Sequence, residues 1–191
     1  MERRPIMRLA GCVIFACMLS FYACDKAKVD VEVSSATIAL DDIVVQDGTT
    51  AMSKSRKSDT LNYFNVSQTI YLSQIEDFTE EVLKHQSKIT DVRVGTAAIT
   101  IIADDDETGT VVEDFVLEAV GAATLNIPHY ELGTAYNPEN VPSFAAAFLL
   151  KLFQASSVEI KVSGKTDVTS GKKLKAKIEM EDMVFVVGLL N

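Results

Sequence analysis

Four consecutive acidic residues are the first group of side chains that could do chemistry. Asp104, Asp105, Asp106 and Glu107 supply carboxylate oxygens, which are the ligands that Ca²⁺ prefers. Their spacing differs from that of an EF-hand loop, where ligand positions alternate with other residues before a distant Glu. Because consecutive acids project in different directions, we favour a charged turn that keeps two long strands soluble, with a calcium site as the alternative.

The two histidines are the next candidates, since imidazole can act as a base or a zinc ligand. His85 and His129 lie far apart in the chain, and neither has a cysteine partner beyond the N-terminal segment. We expect His85 in the last turn of a helix and His129 in a loop. The chain also contains neither a Gly-x-Ser-x-Gly elbow nor a glycine-rich phosphate loop. The sequence therefore predicts no cofactor and no enzymatic activity.

A helix that is apolar nearly all round is expected over residues 144–153, where Lys151 is the one polar side chain. Such a helix must be covered by protein, by a partner or by an apolar ligand. Burial between the sheets is the favoured interpretation. In the alternative, the helix lines a pocket for a lipid-like ligand, and the wall residues are Phe144, Phe148, Leu149, Leu152 and Phe153.

The first residues of the chain have the layout of a secretory signal, with arginines followed by a mostly apolar stretch. The segment Phe21-Tyr22-Ala23-Cys24 resembles the lipobox of bacterial lipoproteins, in which a small residue precedes a Cys that is diacylated and becomes the mature N-terminus. The resemblance implies a signal peptide over residues 1–23, lipidation of Cys24 and a tether over residues 24–28. In the alternative, the segment is a plain signal peptide or an uncleaved anchor and Cys24 has no role.

Composition narrows the classes of protein further. The 191 residues are 48% hydrophobic and carry a formal charge of −9, from 18 basic and 27 acidic side chains. A chain of this length can bury one core without disulfides or metal, which argues against disorder. Nucleic acid is not expected as a partner, because phosphate binding requires a basic surface.

The remaining sequence, residues 29–191, alternates apolar and polar residues in several short runs, which is typical of half-buried strands. We expect a short helix to begin at a capping box, Ser73 to Glu76, and to end near Gln86. Residues 91–120 predict a long hairpin with an acidic tip, and residues 158–190 predict a second hairpin that turns at Ser170-Gly171. Residues 121–139 are expected to form strand ends and loops. About seven strands and two short helices predict a mainly β fold, an antiparallel β-sandwich.

These expectations lead to three functional hypotheses. The first is a non-enzymatic lipoprotein of the bacterial cell envelope, anchored in the membrane on the periplasmic side or at the cell surface, which recognises an envelope protein or a glycan. The second is a carrier for an apolar or lipid-like ligand bound along the helix of residues 144–153. The third is a Ca²⁺-stabilised adhesion module that uses the acidic residues 104–107.

Overall fold

The computed structural model describes residues 28–48, 61–75, 77–103 and 111–188. Within these residues the chain forms eight strands and two α-helices. The strands are β1 (Lys28–Val44), β2 (Asn62–Tyr71), β3 (Ile89–Ala103), β4 (Val111–Ala119), β5 (Ala123–Glu131), β6 (Ala135–Tyr136), β7 (Ser157–Thr166) and β8 (Lys173–Gly188). The helices are α1 (Glu80–Lys84) and α2 (Asn140–Ala155), and short 3₁₀ turns cover Leu72–Gln74 and Gln86–Lys88.

The strands form two four-stranded antiparallel sheets that pack face to face. Sheet A has the order β1-β8-β3-β6, and sheet B has the order β2-β7-β4-β5. Strand β1 is therefore next to β8 and β3 next to β6 in sheet A, while β2 is next to β7 and β4 next to β5 in sheet B. This is the strand arrangement of a jelly roll. The predicted antiparallel β-sandwich is therefore confirmed.

Both predicted hairpins are wrong, because each joins strands of different sheets. β3 pairs with β8 and β6 in sheet A, whereas β4 pairs with β5 and β7 in sheet B. Similarly, β7 lies in sheet B and β8 in sheet A, so the turn at Ser170-Gly171 carries the chain between sheets. A polar turn between two alternating runs has the same composition whether the strands pair directly or face each other across the core.

Strand β5 was predicted as strand ends and loops because Pro128 lies in its middle. Proline cannot donate a backbone hydrogen bond, and in sheets it is therefore largely confined to edge strands. β5 is an edge strand, the last in sheet B. Its inward residues Leu125, Ile127 and Tyr130 are all buried.

The alternation of buried and exposed residues is interrupted at the same level in three neighbouring strands of sheet A. Ser34 and Ser35 in β1, Gly95 and Thr96 in β3, and Glu181 and Asp182 in β8 are successive exposed pairs. Asp182 has a φ angle of +53°, a left-handed conformation that Asp tolerates better than most residues. The irregularities at Gly95 and at Glu181-Asp182 thus lie side by side in neighbouring strands.

The first helix is shorter than predicted. α1 begins at Glu80, after Thr79, whose hydroxyl accepts the Val82 N–H at 3.5 Å. The segment before it is held by tertiary hydrogen bonds instead. The Leu72 N–H donates to the Ser156 carbonyl at 3.0 Å, and the Asp77 carboxylate accepts the Thr37 N–H at 2.9 Å. These bonds to distant parts of the chain override the local helix signal at Ser73.

Candidate functional site

The five helix residues proposed as a pocket wall lie in the hydrophobic core. α2 packs mainly along β3 and also contacts β5 and β7. The five side chains are at most 3% exposed: Phe144, Phe148, Leu149, Leu152 and Phe153. The Phe153 ring lies 5.0 Å from the rings of both Phe78 and Phe185. Packing by protein is thus a sufficient cause of their burial, and the apolar-ligand carrier stays a prediction.

The other two predicted sites, Cys24 and the acidic run Asp104, Asp105, Asp106 and Glu107, lie outside the described residues. Lipidation and calcium binding therefore stay predictions. In the described part of the chain, no group of three or more His, Cys, Asp or Glu side chains could hold a metal ion. Neither α1 nor α2 is long and apolar enough to cross a membrane.

The two histidines do not meet. His85 is the C-terminal cap of α1. His129 lies in β5 rather than in the predicted loop, and its Nδ1 atom is 2.7 Å from Oε1 of Glu113 on β4. This contact is one of several across the outer face of sheet B. Nζ of Lys165 lies 2.7 Å from the Asp114 carboxylate, and the Ser67 hydroxyl donates to Glu159 at 2.5 Å.

Lysines of β7 and β8 form ion pairs on the outer faces of the sheets. Lys161 lies 4.0 Å from Glu118 on β4, and Lys173 lies 2.6 Å from Asp42 on β1. Lys177 contacts Glu179 on its own strand at 2.6 Å. Because these groups are largely exposed, each pair contributes about 0–1 kcal/mol to stability. The outer faces of the sheets thus carry several solvent-exposed ion pairs.

The candidate site that the fold itself creates lies at the open side of the sandwich, where β1 and β2 are the edge strands of the two sheets. We call it the edge groove. It encloses about 550 Å³ and is lined by Thr37, Ile38, Ala39, Asp41, Gln68, Thr69, Ile70, Gln74 and Ile75. Its volume is in the range of ligand-binding clefts, about 300–1,000 Å³.

The edge groove forms because the two edge strands separate along their length. At one end the sheets touch: the Gln46 N–H donates to the Tyr63 carbonyl at 2.7 Å, and the Tyr63 N–H donates back at 3.1 Å. Five residues along each strand, the gap is spanned by a side chain, as the Gln68 amide donates to the Asp41 carbonyl. Further on, Asp77 accepts the Thr37 N–H. Two polar side chains therefore span the space that two backbone hydrogen bonds close at Gln46.

The groove has an apolar floor and a polar rim. Ile38, Ile70 and Ile75 are 2%, 8% and 6% exposed, so they form the base between the sheets. The rim carries amide and hydroxyl side chains and one carboxylate, Asp41, and none of the nine lining residues is basic. Sequence reasoning missed this site, because its residues lie in three separate segments whose proximity depends on strand order. The polar residues Gln68 and Thr69 inside an apolar run were the available signal.

Fold and groove together define a jelly-roll β-sandwich with an open seam between two edge strands. No family model matches the chain, and no curated protein matches it. One similar solved structure is the semi-empty virus-like particle of the giant freshwater prawn Macrobrachium rosenbergii nodavirus, with 12% identity and a TM-score of 0.34, covering 88% of this chain and 99% of that chain. Another is the decameric BFDV capsid protein, with 7% identity and a TM-score of 0.37, covering 83% and 99%. Similarity at this level carries no functional inference.

Proposed function

We propose that the protein is a lipid-anchored, non-enzymatic recognition module of the bacterial cell envelope that binds its partner through the edge groove. The observation that carries recognition is the groove itself, a cleft with an apolar floor and a polar rim in the described chain. Anchoring is supported by the lipobox-like residues 21–24. The solvent-exposed ion pairs on the outer faces of the sheets suit a domain that stands in water.

Anchoring is tested by the intact mass of the protein extracted from membranes, compared with that of a Cys24→Ala variant. We expect the mass of residues 24–191 plus an acylated glyceryl group, and we expect this species to be lost in the variant. A mass that shows an uncleaved or unlipidated chain would remove the anchor from the proposal. The sandwich would then be a secreted or helix-anchored domain.

Recognition is tested with a photo-crosslinking amino acid placed in the full chain in cells. Thr69 lines the groove on β2, and Thr124 is an exposed threonine on β5, the opposite edge of the same sheet. We expect a discrete crosslinked product from position 69 and none from position 124. Equal products from both positions, or none from either, would contradict recognition through the groove.

A further inference from the structure

The backbone of β1 points into the edge groove at Ala39. In an antiparallel pair, alternate residues direct both backbone groups toward the neighbouring strand or away from it. The Thr37 N–H donates to Asp77 and the Asp41 carbonyl accepts from Gln68, so both residues face away from β8. Ala39 lies between them with the same parity, and its N–H and carbonyl therefore face the groove.

The open part of the β1 edge at the groove is short, because the Asp77 and Gln68 side chains already bond Thr37 and Asp41 on either side of Ala39. Paired strands lie about 4.8 Å apart. A short extended segment at this distance from β1 beside Ala39 would lie within hydrogen-bonding distance of the Ala39 N–H and carbonyl. The bridge between Gln46 and Tyr63 closes one end of this space, and the Asp77 side chain marks the other.

The lining of the groove specifies the side chains of such a strand. Ile38, Ile70 and Ile75 form a floor that suits an aliphatic side chain directed inward. Among the nine described lining residues, Asp41 is the one carboxylate and none is basic, so a Lys or Arg beside that aliphatic residue is complementary in charge. The whole chain has a formal charge of −9, which favours the approach of a basic segment.

We propose that the edge groove binds an extended, basic peptide segment of a partner protein, which adds as a strand to β1 beside Ala39. This inference rests on the proposed function, because it names the class of partner that the same groove recognises. Backbone hydrogen bonds to Ala39 supply sequence-independent affinity, and the apolar floor and Asp41 supply the preference for an aliphatic residue next to a cation.

The test uses the purified full chain and a phage-displayed library of random nine-residue peptides. Two variants form a matched pair. Ala39→Pro removes the N–H that faces the groove, at an edge position where proline is tolerated, and Ala39→Val adds a side chain but keeps the N–H. Circular dichroism and thermal unfolding of both variants establish that each remains folded.

We expect enriched peptides with an aliphatic residue flanked by Lys or Arg. Loss of one or two backbone hydrogen bonds should weaken their binding to Ala39→Pro by about tenfold or more. Ala39→Val keeps the N–H, so binding to it should be weakened less than binding to Ala39→Pro, and N-methylation of the peptide backbone should abolish binding to the original chain.

Three results would overturn strand addition: no enriched peptide, equal binding to both variants, or full binding by the N-methylated peptide. A groove occupied by a second copy of the chain, seen as a dimer in light scattering that Ala39→Pro converts to a monomer, would also overturn it. A crosslinked partner at position 69 that is unaffected by Ala39→Pro would exclude strand addition but preserve groove recognition. Absence of any crosslinked product would count against the proposed function itself.

Discussion

Tyr130 connects the two sheets through its hydroxyl group. The Ile101 N–H of β3 donates to this oxygen at 2.8 Å, and the hydroxyl donates to the Thr134 carbonyl. Because Tyr130 is 2% exposed, water can hardly replace these partners.

We expect Tyr130→Phe to lower the free energy of unfolding by about 1–3 kcal/mol, measured by urea denaturation. Tyr63→Phe, at a side chain that is 40% exposed, is the control and should change it by less than about 0.5 kcal/mol. Equal losses in the two variants would contradict the role of Tyr130.

The same residue makes stability depend on pH at the alkaline end. Burial raises the pKa of Tyr130 above its ordinary value of 10.0, because the phenolate is poorly solvated there. The folded state thus binds this proton more tightly than the unfolded chain does. The resulting stabilisation is complete below about pH 10 and is lost as the pH rises through the folded pKa.

We therefore expect stability to fall as the pH rises above about 10, and to fall less steeply in Tyr130→Phe. The hydrogen bond from Lys165 to Asp114 also raises the pKa of Lys165, and this acts in the same direction in both proteins. The difference between the two proteins isolates Tyr130. Identical pH profiles would show that its ionisation is not linked to folding.

Gly164 is required by the aromatic side chain on the opposite strand. Phe64 pairs with Gly164 across β2 and β7, is 1% exposed and lies 6.3 Å from the Phe115 ring. A Cβ atom on Gly164 would lie 2.7 Å from Cζ of Phe64 and 3.3 Å from the Glu113 carbonyl oxygen. Because the ring is enclosed, we expect Gly164→Ala to destabilise the protein by about 1–3 kcal/mol in thermal or urea unfolding.

The matched control is Gly188→Ala, where the nearest atom would lie at an ordinary contact distance of 3.5 Å. It should change stability by less than about 0.5 kcal/mol. A neutral Gly164→Ala variant would mean that the Phe64 ring can move aside.

At the scale of elements, α2 joins the core through a triangle of aromatic rings. Phe153 of α2, Phe78 before α1 and Phe185 of β8 have ring centroids 5.0–5.7 Å apart. Truncating Phe153 removes two ring contacts and leaves a cavity. We expect Phe153→Ala to cost about 3–5 kcal/mol in urea denaturation. Leu83→Ala in α1, at a side chain that is 40% exposed, is the control at about 0.5 kcal/mol or less. A small effect at Phe153 would instead favour a helix that covers a ligand cavity.

The individual strands could be predicted because apolar and polar residues alternate along them. Val158, Ile160 and Val162 alternate with polar residues, and all three are buried in β7. The pairing of these strands could not be predicted, since the same alternation occurs whether consecutive strands pair as a hairpin or belong to different sheets. β5 was missed because Pro128 opposes a strand unless that strand is an edge. α1 was misplaced because hydrogen bonds to distant residues hold the chain before it.

At the scale of the whole molecule, strand order decides where a binding site can exist. The edge groove needs β1 and β2 to be the last strands on the same side of two sheets. The polar residues Gln68 and Thr69 hint at a polar surface, but no residue of Thr37–Asp41 or Gln68–Ile70 signals that these two strands are edges on the same side. The groove therefore could not be predicted from the sequence, although each of its two strands could.

Strand order also predicts how amide hydrogens exchange with solvent. β8 lies between β1 and β3, and β7 lies between β2 and β4, so both are bonded on two sides. We expect the slowest native-state exchange in β7 and β8, measured by hydrogen–deuterium exchange mass spectrometry. The Ala39 amide, which faces the groove from β1, should exchange faster. Protection of β1 equal to that of β8 would contradict the position of β1 as an edge strand.

The pairing of Lys28 with Gly188 at the start of β1 has a mechanical consequence. If the chain is held at Cys24 and pulled by a partner beside Ala39, tension enters and leaves through the same strand, over roughly 11 residues or about 36 Å. The paired β8 strand resists that load in shear, along many hydrogen bonds at once. Sheet B and α2 would bear little of the force, and an anchored protein of this design could hold a partner under tension without opening its core.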